Sequence, residues 1–320
     1  MKLLARLITG VAGSCALLAT LLATSAIAQQ AAEPGKQIRL DDVSGGRLVV
    51  IPKWENGFFV SFEIPDGGTT PAVYVQGSDG RQLTKAIVSL PDAVENGLID
   101  AAVSPQGEVA VTGAASWANG RATAYFMFIS KAGKMLQLVR TSPFSARRIC
   151  FSADGTLWAL GYELDDGGME QASYNLLKHY GRDGVLIKSA LPRNSFSLPG
   201  HSNPISQSFL ATSGDLVGVY SNSTKEWIEV SSTTGDVVRR WAGLALGPKS
   251  FVIGAFLTSS GFAYVSAENR ETQVRTVHQL DRSTGTWLAV NNVSHRIIGT
   301  DRESVLELFA RSEIRWVRPE

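Results

Sequence analysis

Glycine-bearing turns recur along this chain at a nearly constant step, and that period decides what the chain can fold into. One set is Ser78-Asp79-Gly80, Lys131-Ala132-Gly133, Arg182-Asp183-Gly184, Thr233-Thr234-Gly235 and Ser283-Thr284-Gly285, whose glycines lie 53, 51, 51 and 50 residues apart. A second set steps by 50, 48, 59 and 47: Glu55-Asn56-Gly57, Ser104-Pro105-Gln106-Gly107, Ser152-Ala153-Asp154-Gly155, Ala211-Thr212-Ser213-Gly214 and Thr258-Ser259-Ser260-Gly261. Between the turns run short alternating apolar stretches such as Glu108-Val109-Ala110-Val111, and no helical period is sustained after the N-terminal segment. Such stretches read as strands, and a turn glycine supplies the positive φ that lets two strands fold back as a hairpin. Two turns per period of about 50 residues mean four strands per unit, the pattern of a β-propeller blade.

Five units are complete and the sixth is divided between the two ends of the chain. Near the C-terminus, Arg296-Ile297-Ile298, Ser304-Val305-Leu306-Glu307-Leu308 and Ile314-Arg315-Trp316-Val317 supply three strands. Near the N-terminus, Pro34-Gly35-Lys36-Gln37-Ile38-Arg39-Leu40 matches Ala132-Gly133-Lys134-Met135-Leu136-Gln137-Leu138, the last turn and outer strand of a unit. The N-terminal strand is therefore expected to complete the C-terminal blade, closing the ring and removing free sheet edges. The predicted fold is all-β, a six-bladed β-propeller of four-stranded antiparallel blades, with seven blades or an irregular count the alternative, and with residues 29–320 as one domain. Segments such as Phe151-Ser152-Ala153-Asp154-Gly155-Thr156-Leu157-Trp158, followed by Tyr180-Gly181-Arg182-Asp183-Gly184, resemble the six-bladed propellers grouped as NHL-repeat and TolB-like proteins. The resemblance runs through nearly all of residues 29–320 as a turn pattern and implies the same ring of blades.

The address is read from the start of the chain. Lys2 and Arg6 precede an apolar stretch from Leu7 to Leu22, and Ala26-Ile27-Ala28 follows, the layout of a secretory signal peptide cleaved after Ala28. A retained anchor or a lipoprotein at Cys15 are the competing readings; no basic stop follows the apolar run, and that run continues past Cys15. Secretion, or export to a periplasm, is the expectation. Cleavage takes two of the 30 basic residues and none of the 29 acidic ones, leaving 28 against 29. That balance offers no bulk attraction to nucleic acid or to an anionic membrane, and a monomer is expected. Cleavage also leaves Cys150 as the lone cysteine, set in the apolar Ile149-Cys150-Phe151 and read as a buried small hydrophobe.

In a propeller the first strand of each blade lines the channel, and both turn sets fall on one face. The opposite face carries the remaining loops, where recognition is usually built. Two of those loops are long, and both belong to blade three or its exit. Gly155 to Gly184 is 29 residues against 21 to 26 in the other complete units, and Gly184 to Gly214 is 30 against 18 to 27. The first holds Glu163, Asp165, Asp166 and Glu170, carboxylates that could serve calcium, although the spacing matches no EF-hand and a solvated acidic loop is the simpler reading. The second holds His201 and Asn203. Together these loops form the candidate recognition rim.

Counting seven residues back from the first turn of each unit places Val50, Asp100, Arg148, Gln207, Gly254 and Arg296 on the channel. Four of these are polar, which suits a water-filled mouth, since stranding such groups in a core would cost a few kcal/mol. Asp100 and Arg148 are expected to pair as a clamp between consecutive blades; alternatively Arg148 and Arg296, helped by Arg147 and His295, bind an anionic group. Trp117 is a further candidate for ligand contact, whereas Trp158, Trp227, Trp287 and Trp316 fall in strand runs and read as packing. Asn222-Ser223-Thr224 and Asn292-Val293-Ser294 fit the glycosylation acceptor pattern.

Catalytic signals are few. The four histidines make no zinc pattern, and no GxSxG elbow occurs. The leading reading is a binding module for a protein, peptide or small anionic ligand, without catalysis or cofactor, at the blade-three loops and channel mouth. The competing reading is a metal-dependent hydrolase or lactonase: gluconolactonase-type propellers hold a divalent ion in the channel, where Asp100 and Gln207 offer ligands and two arginines oppose a cation.

Overall fold

The structure, a computed structural model, describes residues 34–45, 49–64, 70–120, 122–196, 207–310 and 312–320. The segment read as a signal peptide lies outside the described residues, as do His201 and Asn203. The strands form six four-stranded antiparallel sheets, and a single short 3-10 turn at Arg193–Ser195 is the only helical element among the described residues. Blade one comprises β2 (Lys53–Glu55), β3 (Phe58–Phe62), β4 (Ala72–Gln76) and β5 (Gln82–Ile87). Blade two runs through β6 (Ala93–Val103), β7 (Val109–Trp117), β8 (Ala122–Ile129) and β9 (Met135–Arg140), and blade three through β10 (Phe144–Phe151), β11 (Leu157–Glu163), β12 (Asn175–Tyr180) and β13 (Leu186–Pro192). Blade four holds β14 (Phe209–Ser213), β15 (Leu216–Ser221), β16 (Glu226–Ser231) and β17 (Val237–Ala242). Blade five holds β18 (Ser250–Leu257), β19 (Ala263–Asn269), β20 (Arg275–Asp281) and β21 (Thr286–Val290). Blade six is β22 (Arg296–Asp301), β23 (Ser304–Leu308) and β24 (Glu313–Val317), completed by β1 (Gln37–Arg39).

The expected closure is present. β1 lies antiparallel on β24 with Gln37 opposite Arg315 and Arg39 opposite Glu313, and Lys36 stands over the Trp316 ring at 4.9 Å. The core is distributed as six apolar clusters, each shared by two neighbouring blades. Val60 and Val73 of blade one pack with Val103 and Tyr125 of blade two, for example, and the last seam joins Trp316 and Ile314 to Trp54 and Phe59 of blade one. Trp54 and Trp316 meet edge to face at 5.7 Å across that seam. A sheet buried on both faces must be apolar on both, which is why middle strands such as β4 read as unbroken Ala-Val-Tyr-Val runs.

The repeating turn glycines have a common packing reason. A Cβ on Gly133 would meet Lys85 of β5, one on Gly184 would meet Val139 of β9, and one on Gly285 would meet Trp241 of β17. Each turn leans on the outer strand of the preceding blade. For Gly80 in blade one that outer strand is β1: a Cβ there would stand 2.2 Å from the Arg39 carbonyl oxygen, and its φ is +85°. Only glycine accommodates both the left-handed backbone and the approach.

Candidate functional site

The first strand of each blade is an edge strand facing the channel, so half of its backbone groups lack a partner inside their own sheet. Leaving such a group buried and unbonded costs about 1–3 kcal/mol. Around β10 the deficit is met by side chains from three other blades. Asp100 Oδ2 accepts the Ile149 N–H at 2.9 Å, and Lys53 Nζ donates to the Ile149 carbonyl at 3.0 Å. Glu55 Oε1 accepts the Phe151 N–H at 2.5 Å, and Thr212 Oγ1 donates to the Phe151 carbonyl at 2.9 Å.

These capping groups form one electrostatic cluster with Cys150. Lys53 Nζ stands 3.4 Å from Glu55 and 3.7 Å from Asp100; its side chain is deep in the ring yet keeps 32% exposure to the channel. Burial presses its ammonium pKa downward, but the Asp100 and Glu55 carboxylates outweigh that effect and it ends above its ordinary value. Burial lifts the Glu55 carboxyl from 4.5 to about 7 against the pull of Lys53. Its Oε2 is buried and accepts no hydrogen bond. Burial likewise pushes the Cys150 thiol well up, with Glu55 adding to it, so this thiol is a core group rather than a nucleophile.

The clamp expected between Asp100 and Arg148 is not what forms. Asp100 gives Oδ2 to Ile149 and Oδ1 to the Ala101 N–H, and its cation is Lys53. Lys53 and Glu55 were invisible to the register because the first turn is not uniform. Blades two, three and five connect strands one and two through five residues, as from Phe151 to Leu157, but blades one, four and six use two, as from Glu55 to Phe58. Counting back a constant seven therefore lands out of register in the latter three. The signal that would have found the pair is the polar–apolar–polar Lys53-Trp54-Glu55 beside the Asn56-Gly57 turn.

Placement of the remaining candidates follows from that frame. Gln207 precedes β14 with a left-handed φ of 55°, and its carbonyl accepts from Asn222 Nδ2, which buries one of the two glycosylation acceptors. Arg296 opens β22 half-buried, and burial lowers its pKa with the neighbouring Arg275 adding to the effect and Glu268 opposing it. His295 hands its backbone N–H to the buried Glu307 at 2.9 Å. Trp117 ends β7, donates to the Pro91 carbonyl at 3.4 Å and is faced by Arg140 at 5.5 Å. By strand direction Trp117, Gln207, His295 and Arg296 sit toward the face opposite the turns, whereas Glu55 lies next to its first turn.

On that opposite face the first long segment of blade three is fastened to the start of the second. Glu170 Oε1 accepts from Tyr174 Oη at 2.5 Å and from Arg193 Nε at 3.2 Å, tying the first loop to the segment that leaves the blade. Beyond Arg193, Ser195 accepts from Arg240 Nη2 at 2.8 Å, and the buried Phe196 lies under the Arg240 guanidinium at 4.9 Å. Glu163 is paired with Lys178 at 2.7 Å. Two of the four carboxylates considered for calcium are thus committed to protein cations.

A divalent ion in the channel, as the gluconolactonase-type reading requires, does not fit the residues present. The Lys53 ammonium already stands beside both inner carboxylates, and Gln207 lies on the far side of β14 from that end.

No family model matches the chain, and no curated protein matches it. Among solved structures it is similar to a Bacteroides fragilis protein provisionally described as exported, at 11% identity and TM-score 0.53, covering 85% of this chain and 83% of that one. It is also similar to a Hadza microbial sialidase, at 12% identity and TM-score 0.51, covering 89% of this chain and 68% of that one. A Xanthomonas campestris gluconolactonase aligns at 15% identity and TM-score 0.46 over 89% of this chain and 99% of that one. At such identities the likeness is one of fold, and the fold is the six-bladed propeller that the resemblance to NHL-repeat and TolB-like proteins implies.

Proposed function

We propose that the chain is an exported, monomeric binding module that takes its ligand on the face opposite the turns, at the blade-three rim and the adjoining channel mouth. Export rests on the Lys2 to Ala28 segment, and the Bacteroides fragilis protein of like fold carries the same provisional description. The observation that carries the binding site is the Glu170 lock. Glu170 of the first enlarged loop bonds Tyr174 at the end of that loop and Arg193 at the start of the second. A rim whose described part is fixed before the ligand arrives spares the entropy of ordering that part on binding. Simple growth in loop length would leave the two loops independent.

The test is a thermal and binding screen against peptides and small anions, followed by substitution. Alanine at His201, Asn203 and Arg148 is expected to spare folding and to impair capture of the ligand found. A stable triple variant that binds normally overturns the site. Any ligand at a hundredfold excess over its Kd stabilises by about 2.7 kcal/mol, which a melting screen resolves.

A further inference from the structure

The inner strand of blade three carries two consecutive arginines, and a β-bulge turns both to the same side. β10 pairs Ala146 with Gly161 and Arg148 with Leu160, so Arg147 is the extra residue. The packing confirms the shift in phase: Phe144, Ala146, Ile149 and Phe151 share the core facing blade two, a step of three between Ala146 and Ile149 where a regular strand allows only even steps. Cys150 belongs instead to the core facing blade four. Arg148 follows Cys150 to that side, where its guanidinium lies over the Phe209 ring at 5.8 Å. Arg147 lies over Tyr162, whose ring packs on the same core, at 5.0 Å, and donates to the Tyr162 hydroxyl.

Neither arginine forms an ion pair among the described residues. Asp100, the carboxylate on the neighbouring inner strand, is held by Lys53. Arg148 Nη1 donates at 2.9 Å to the Arg147 carbonyl, a neutral acceptor. A guanidinium has five N–H donors, and the bonds found engage one donor of each. Arg148 is half-buried, and its charge opposes that of Lys53, so two cations share this part of the channel while both available carboxylates cluster on one of them. Keeping a second, partly desolvated cation beside them costs stability unless an anion completes the arrangement.

We propose that Arg147 and Arg148 form an oxyanion subsite at the channel mouth, taking a carboxylate or phosphate group of the ligand. The aromatic rings behind them hold the guanidinium planes, and the free N–H edges present the forked geometry that carboxylates and phosphates accept. This subsite deepens the rim reading by naming the chemistry at its inner edge, and its test needs no rim ligand.

Arginine Nε–Hε resonances of the full chain are followed by NMR during separate titrations with inorganic phosphate and with acetate, against chloride at equal ionic strength. Arg147 and Arg148 are expected to shift saturably with one or both oxyanions, and the ratio of the two affinities separates phosphate from carboxylate as the ligand's group. Exposed Arg81 serves as the reference, and equal, non-saturating shifts at Arg81 and the pair overturn the subsite. In parallel, Arg147→Gln with Arg148→Gln is expected to melt at least as high as the parent in chloride, because like charge is removed, and to lose the rise in Tm that the oxyanion gives. A variant that keeps the rise overturns the proposal. If the variant fails to fold, the titration of the parent decides alone. Saturable shifts combined with ligand capture that ignores the rim would retire the rim reading and leave the subsite standing.

Discussion

Replacing Gly80 by alanine tests ring closure, because the same substitution at Gly120 supplies a matched reference. Both glycines sit at left-handed φ, +85° and +76°, but a Cβ on Gly120 meets nothing within 4 Å. At Gly120 the cost is backbone strain of about 1–2 kcal/mol, offset in part by the lower entropy of the unfolded chain, for a net of about 1 kcal/mol. At Gly80 the added carbon would stand 2.2 Å from the Arg39 carbonyl oxygen, so the strap must lift away from blade one. Lifting it breaks the bonds from Asp41 N–H to the Gly80 carbonyl at 2.9 Å, from Gln82 N–H to Asp41 Oδ2 at 2.8 Å, and from Gln76 Nε2 to the Asp41 carbonyl at 2.9 Å. At about 1 kcal/mol each, these bring Gly80→Ala to about 4 kcal/mol. For a chain of this size each kcal/mol moves Tm by about 2 °C, so the variants should melt about 2 °C and about 8 °C below the parent. Deleting 33–42 goes further by exposing the β24 edge. Equal melting of the two glycine variants would show that the N-terminal strand does not seat against blade one, and the closure argument would fall.

The channel cluster gives two further tests. The Glu55 carboxyl titrates near 7 in the folded chain and near 4.5 when exposed, so between those values the folded state binds more protons. Stability should therefore fall as pH rises from about 4.5 to 7 and then level, by up to about 3 kcal/mol, and Glu55→Gln should remove that slope in urea titrations; an unchanged slope would place the titrating group elsewhere. Lys53→Met leaves Glu55 and Asp100 without their cation and the Ile149 carbonyl without its donor. The expected loss is about 2–4 kcal/mol at pH 8 and less at pH 5, where Glu55 is protonated, and a loss that grows on acidification would contradict this account.

Blade number, strand order and the N-terminal closure were legible in the sequence because each is written in features that tolerate little variation. A turn that leans on the neighbouring blade needs glycine, so the period survives as a glycine comb even where the intervening strands diverge. The match between Pro34–Leu40 and Ala132–Leu138 marked the borrowed strand for the same reason. Depth along the channel was less legible, because it depends on the length of each first turn and on bulges. Four inner strands carry a bulge at a common level, between Leu98 and Asp100, Ala146 and Arg148, Val252 and Gly254, and Ile297 and Gly299. Thus the level of Asp100 and Arg148 is occupied in blade six by Gly299, three residues beyond Arg296. In blades one and four a turn of two residues carries glycine just as a turn of five does, so the comb conceals the difference.

Polarity on an inner strand is consequently a poor guide to a ligand. An edge strand facing a channel has backbone groups to satisfy, and the side chains that satisfy them must be polar and must point inward, as any ligand-binding group would. Asp100, Lys53, Glu55 and Thr212 all meet that structural demand, and the sequence alone gives no means of telling them from a binding set. What distinguishes a group available to a ligand is charge left over after the edge has been capped. Arg147 and Arg148 meet that condition: β10 needs neither guanidinium to cap its edge, and the carboxylate expected to neutralise Arg148 is committed to Lys53. The same accounting applies at Arg296, where burial and Arg275 both weigh against the charge and Glu268 is already bonded to Arg275 at 2.6 Å. Arg296 nonetheless lies three residues before Gly299, the blade-six position level with Arg148, so it stands nearer the rim than the blade-three pair.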